Sequence, residues 1–160
     1  MKRHLSIIIF LLCATGILPC SAKAENKLPF QVIVNSKNPH ERLDEKNLKK
    51  LFLKKMKTWP KFKEQVAPVD LAENSSLRES FSKIILRQNV ASVITYWQKQ
   101  TFAARGAAPR KFPSDQKVID YVAEFPGAIG YISASEKVSN PNIKVIDVKL
   151  TKAAVSDIAW

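Results

Sequence analysis

Phe125-Pro126-Gly127-Ala128-Ile129-Gly130-Tyr131-Ile132 is the stretch on which the reading of this chain turns. Ahead of it, Val118-Ile119-Asp120-Tyr121-Val122-Ala123-Glu124 places apolar residues at helical spacing. Pro126 stops that helix, because the residue before a proline is pushed out of the α region. Gly127 supplies the backbone freedom for a tight reversal, and an apolar strand follows. Gly130 inside that strand points to the close approach of another backbone or of a ligand. A helix, a Pro-Gly break and a glycine-bearing strand together predict an α/β layer.

Working outward, Phe30-Gln31-Val32-Ile33-Val34-Asn35 is rich in branched residues and reads as the first strand, with a turn at Asn38-Pro39. Asp44 is a predicted helix N-cap, and Leu48, Leu51 and Phe52 mark an apolar face ending near Lys54. Trp59-Pro60 is a fixed, packed element within a basic loop. Gln65 to Asp70 reads as a second strand, which Pro68 places at an edge or gives an irregular end. Asn74-Ser75-Ser76 then open a helical pattern through Leu77, Phe81, Ile84 and Ile85, ended or interrupted at Asn89. Val90, Val93, Ile94, Trp97 and Thr101 carry a further helix to about Ala104, with Gly106 as its stop. Ser114 caps the next helix, and Ile143 to Val148 alternates as the last strand. The order β-α-β-α-α-α-β-β predicts a mixed, mostly parallel sheet with helices on both faces.

The chain has 160 residues, with 26 Lys and Arg against 14 Asp and Glu, a net charge of +12. Met1-Lys2-Arg3-His4 is basic, Leu5 to Leu18 is mainly apolar, and Ala22-Lys23-Ala24 offers small residues at a cleavage site. That layout is a secretory signal peptide over residues 1–24; the apolar run is shorter than the roughly 20 residues that span a bilayer. Neither Cys13 nor Cys20 follows the small residue that a lipid-anchored cysteine needs. Both cysteines fall within this leader, so residues 25–160 have no disulfide and no thiolate. Those 136 residues suit one domain and hold 23 basic against 14 acidic residues, a net +9. This excess favours anionic partners. Export, dispersed basic residues and the lack of a binding motif argue against nucleic acid, and a solvated basic surface is the plainer alternative.

Enzymatic and cofactor chemistry finds little footing. His40 is the only histidine after the leader, and no G-x-S-x-G elbow accompanies it. Phosphate-loop and dinucleotide motifs, zinc ligands and haem ligands are missing from the sequence. Asp44 with Glu45, and Asp115 with Asp120, suit helix starts and solvent faces. Trp59, Trp97 and Phe102 are expected in the core rather than stacked on a ligand. No catalytic residue, metal or cofactor is assigned.

Four blocks in order resemble the phosphate-binding proteins of ABC transporters. Leu48-Lys49-Lys50-Leu51-Phe52-Leu53-Lys54-Lys55 with Trp59-Pro60 is similar to their I-F-L-G-K…W segment. Val66 to Asp70 followed by Asn74 to Phe81 is similar to their strand, oxyanion loop and helix. Tyr96-Trp97 and Phe102 stand where these proteins carry aromatics, and Pro126-Gly127-Ala128-Ile129-Gly130-Tyr131 closes the match. The resemblance covers about Leu43 to Val148. It implies a single lobe of the type 2 periplasmic-binding-protein fold over residues 25–160, where the full protein has two lobes. It further implies a periplasmic, non-catalytic solute-binding function with phosphate or a related small oxyanion as ligand. Implied partners are an inner-membrane transporter or sensor, and a second copy of the chain that completes the site.

In that family the anion loop runs approximately R-x-D-x-S-G-T, and here it reads Asp70-Leu71-Ala72-Glu73-Asn74-Ser75-Ser76-Leu77. Ser75 or Ser76 matches the serine, but the following glycine and the loop arginine are missing, and Asp70 and Glu73 repel an anion. Arg78, one turn into the helix, can substitute for the missing arginine or pair with an acid. Asn74, Ser75, Ser76 and Arg78 are therefore candidate anion ligands at a helix N-terminus. Capping alone, worth about 1 kcal/mol, also accounts for the first three. Arg105 and Arg110, with Lys111, form a second candidate contact around a Gly/Pro loop. If the site is lost, the lobe becomes an interaction module with a basic Lys49–Lys63 face.

Overall fold

A computed structural model describes residues 28–151; the expected signal peptide and both cysteines lie outside them. Six strands form one sheet in the order β2-β6-β1-β5-β3-β4. They are β1 (Phe30–Asn35), β2 (Arg42–Asp44), β3 (Ala67–Leu71), β4 (Arg110–Phe112), β5 (Ala128–Ser133) and β6 (Ile143–Lys149). The helices are α1 (Glu45–Phe52), α2 (Ser76–Phe81), α3 (Val90–Phe102) and α4 (Asp115–Glu124). A π-helical turn, Ser82–Leu86, continues α2. Three of the five strand pairings are parallel, and β1 runs antiparallel to both neighbours.

The quoted stretch lies at the centre. Phe125, ahead of Pro126, has extended dihedrals and ends α4. Gly127 lies outside the left-handed region and is needed for space: an added Cβ would overlap the carbonyl oxygen of Gln65. Its own carbonyl accepts from Ala67 N at 3.0 Å and from the buried Trp59 indole at 2.9 Å. At Gly130 the close approach is by side chains, since a Cβ there would meet Val118 at 2.5 Å and Val69 at 2.8 Å. The bare backbone of β5 thus lets α4 settle onto the sheet. Tyr131, the next residue, points to the opposite face, where it meets Phe52 of α1 and Phe81 of α2. Helices consequently cover both faces. At the far end of α4, Asn35 donates to the carbonyls of Val122 and Ala123 at 3.0 and 2.9 Å, closing the helix against β1.

Three predicted caps form. Asp44 accepts from Asn47 N at 2.6 Å, Ser75 from Arg78 N at 3.4 Å and Ser114 from Lys117 N at 3.5 Å. Asn89, expected as a terminator, instead caps α3 by accepting from Ser92 N at 2.8 Å. The preceding turn is ended by Arg87 in the left-handed region. Ala104, at φ 51°, ends α3 two residues before Gly106. Pro68 does not mark an edge strand, because β3 lies between β5 and β4. It precedes the β4 pairing, which starts at Val69, so its missing N–H interrupts no bond on that side. The true edges, β2 and β4, are three residues long and charged, a common protection against edge pairing.

Gly130→Ala should destabilise the protein by about 1–3 kcal/mol, because methyl groups must move. Gly127→Ala should cost more, since its obstacle is backbone. Urea unfolding checks the order, and Val118→Ala should restore part of the Gly130→Ala loss but none of the Gly127→Ala loss.

Candidate functional site

β3, β4 and β5 are mutually parallel, so their carboxyl ends share one edge of the sheet. In α/β folds the crevice beyond such ends is where ligands bind. A cleft of about 400 Å³ opens there, with Asp70 and Arg78 among its walls and α3 contributing Trp97, Thr101 and Phe102. Arg78 is 1% exposed. Its Nη1 donates to Leu71 O at 3.0 Å, and its Nη2 lies 3.2 Å from Asp70 Oδ2. Nε finds no acceptor.

Asp70 is held from three sides. Besides Arg78, the Tyr131 hydroxyl donates to its Oδ1, and Leu71 N donates to the same oxygen at 2.9 Å. Burial raises the Asp70 pKa against the pull of Tyr131 and Arg78. Burial, and then the Asp70 charge, push the Tyr131 phenol far above its ordinary value. The Tyr131 ring stacks on Phe81 with centroids 3.9 Å apart, fixing its hydroxyl. At the rim, Lys111 of β4 pairs with the exposed Glu73. The cleft therefore holds one buried and one exposed ion pair and is close to neutral.

The sequence-selected residues do not converge. Arg78 lines this cleft, whereas Asn74, Ser75 and Ser76 border a shallower depression with Glu73 and Glu79. Ser75 serves as the α2 cap. Arg105 stands in a separate cleft that shares Trp97, and Arg110 lies over the Tyr121 ring of α4, 5.5 Å from its centroid. Trp59 and Trp97 are buried as expected, but Phe102 is 91% exposed. Asp70 and Tyr131 were not selected as ligands. Asp70 carried a signal, an acid ending an apolar strand, whereas Tyr131 read as an ordinary strand residue. Elsewhere, His40 Nδ1 lies 2.9 Å from Asn38 Oδ1 and its ring 5.2 Å from Trp59, and burial lowers its pKa. Among the described residues, no group of three or more His, Cys, Asp or Glu is placed to hold a metal. None of their helices is long and apolar enough to cross a membrane.

Comparison with known proteins supplies context for this geometry. Residues 28–158 match a family model described as a PBP superfamily domain. An ABC-type phosphate transport receptor from Vibrio cholerae is similar in structure, with a TM-score of 0.59 at 18% identity; the match covers 75% of this chain and 46% of that one. A protein from Clostridium perfringens solved with bound phosphate gives a TM-score of 0.59 at 17% identity, covering 82% of this chain and 51% of that one. PstS from Borrelia burgdorferi gives 0.58 at 15% identity, over 76% of this chain and 47% of that one. At these identities the likeness is one of fold, and the chain spans about half the length of these solved structures. No curated protein matches the sequence.

The buried pair should show strong coupling. Asp70→Asn or Arg78→Met alone should cost about 3–5 kcal/mol, because each strands a buried partner. The double variant should cost clearly less than the sum in a double-mutant cycle. Because burial raises the folded-state pKa of Asp70, the folded state holds that proton more tightly than the unfolded chain. The associated stability is present below the ordinary carboxylate range and is lost as pH rises through the Asp70 pKa. Urea unfolding across pH should show this dependence in the parent and its loss in Asp70→Asn.

Proposed function

This chain belongs to the PBP superfamily domain family, and from that premise we propose that it is a non-catalytic solute-binding lobe working in the periplasm. Its ligand is a small oxyanion, phosphate first, seated in the cleft beyond the carboxyl ends of β3 and β4. The observation that carries this reading is Arg78, a fully buried cation in the wall of that cleft whose Nε lacks an acceptor. A buried guanidinium with an unused N–H favours an oxygen acceptor. Lys111 at the rim supplies a second positive group once Glu73 swings away. Asp70 sharpens the choice. A carboxylate beside the anion repels a fully ionised guest and accepts a hydrogen bond from one that keeps a proton. Hydrogen phosphate is therefore preferred over sulfate. Ser75 acts through the cap that positions Arg78. The partner is an inner-membrane transporter or sensor, and a second copy of the chain is the alternative source of the missing wall.

A second reading rests on Phe102, which stands almost fully exposed at the cleft. There the lobe is incompetent for solute and serves as a protein or envelope interaction module, since large exposed aromatics are typical interface anchors.

Thermal unfolding in phosphate, sulfate, molybdate and chloride at constant ionic strength separates the two. Phosphate at about 100 times its Kd should stabilise the protein by roughly 2.7 kcal/mol. Lys111→Gln should weaken the effect, and Asp70→Asn should erase the preference over sulfate. No selective shift at millimolar phosphate would sink the first reading and leave the second.

A further inference from the structure

A second cleft, about 560 Å³, lies at the other end of β3, between the segment that follows α1 and the face of α3. Its walls carry Lys54, Lys55, Lys57 and Arg105 and no carboxylate. None of these four forms an ion pair among the described residues, whereas Arg42, Arg78, Lys111 and Lys144 all do. Gathering like charges without counterions opposes folding, so a concave cluster of this kind calls for an anion.

The walls are built rather than loose. Lys54 is at φ 50°, a left-handed conformation that a lysine adopts at some cost. Its Nζ donates to Ala107 O at 2.9 Å and lies 5.9 Å from the Trp97 ring centroid, tying the loop after α3 to the end of α1. The Tyr96 hydroxyl donates to Leu53 O at 3.2 Å and ties the same two segments. Burial lowers the Lys54 pKa, and burial followed by the charges of Lys55 and Arg87 lowers that of nearby Lys49. Lys55, Lys57 and Arg105 are exposed and uncommitted to acids.

We propose that this cleft is a separate binding site for a soluble polyvalent oxyanion, one that carries several phosphate or carboxylate groups. The volume lies within the roughly 300–1,000 Å³ typical of small-molecule sites. Cations drawn from both walls suit a guest with several charged groups better than a single phosphate. The exposed Phe102 lines the other cleft and not this one. Without an apolar anchor, a concave basic site favours a free anion over a bilayer. The site adjoins the cleft at Arg78 through Trp97, but the two have no charged residue in common.

Calorimetric titration of the purified protein with tripolyphosphate, citrate and inorganic phosphate, at matched ionic strength, tests this. At least one of the two polyvalent anions should bind more tightly than inorganic phosphate, and which one does identifies the ligand chemistry. In the variant carrying Lys55→Gln, Lys57→Gln and Arg105→Gln, that binding should weaken about tenfold or more, three charge contacts having been removed. These side chains are exposed, and the variant spares Lys54, so unchanged circular dichroism should accompany the loss. Equal binding by parent and variant would overturn the site, as would polyvalent anions binding no better than inorganic phosphate. Adsorption to phosphatidylglycerol vesicles without binding of either free anion would overturn it in favour of a membrane surface.

Discussion

A guanidinium sealed from water is the constraint around which this lobe is organised. Burying such a charge costs several kcal/mol unless it is paired and hydrogen-bonded. The partners of Arg78 come from the carboxyl end of β3, as the Leu71 carbonyl and the Asp70 carboxylate. Asp70 in turn leans on the hydroxyl of Tyr131 in β5. One charge thereby fixes the position of α2, the end of β3 and the alignment of β5. A one-turn slip of α2 would strand the cation. The neighbouring aromatic cluster of Phe30, Phe52, Phe81 and Tyr131 reinforces the arrangement, with Phe81 contacting the other three rings.

A second buried acid behaves differently. Burial pushes the Glu45 carboxyl up, but hydrogen bonds from Arg87 and Thr151 outweigh it and leave the pKa below its ordinary value. Arg87 Nε lies 2.8 Å from Glu45 Oε1, and the Thr151 backbone N–H donates at 3.1 Å. This carboxylate joins the start of α1, the end of the π-helical turn and the chain beyond β6. Asp70 and Glu45 thus both hold elements together, and Asp70 in addition borders a cleft. Burial alone does not bring an acid to a ligand; a cavity beside it must.

The layering of this fold was legible because its signals are local. Pro126 after a helical face, the caps at Asp44, Ser75 and Ser114, and the apolar run of β1 each act within a few residues. The edge strands β2 and β4 were not legible, since three residues, two of them charged, carry no usable period and are strands only because β6 and β3 lie beside them. The candidate site was legible in type but not in place. Arg78 stood out, but its partner did not, because the turn that brings Asp70 back onto α2 depends on tertiary packing. Arg105 and Arg110 are close in sequence, yet β4 begins at Arg110, and the two side chains have different surroundings. Phe102 misled because helical spacing cannot tell a core face from one left uncovered at the last turn of a helix.

The antiparallel placement of β1 carries a consequence for how the chain becomes a fold. Phe30 pairs with Ser133, and Val32 with both Tyr131 and Ile146. The first of the described strands therefore waits for the last two of them before it gains either neighbour. Local helices can form earlier, but the sheet cannot close around its own middle until β5 and β6 have arrived, and such distant closure is slow. During that interval the apolar Val32-Ile33-Val34 run stands as an unpaired strand, available to chaperones or to another nascent copy. Synthesis from the amino end is thus matched to a sheet that stays open until β5 and β6 have been made.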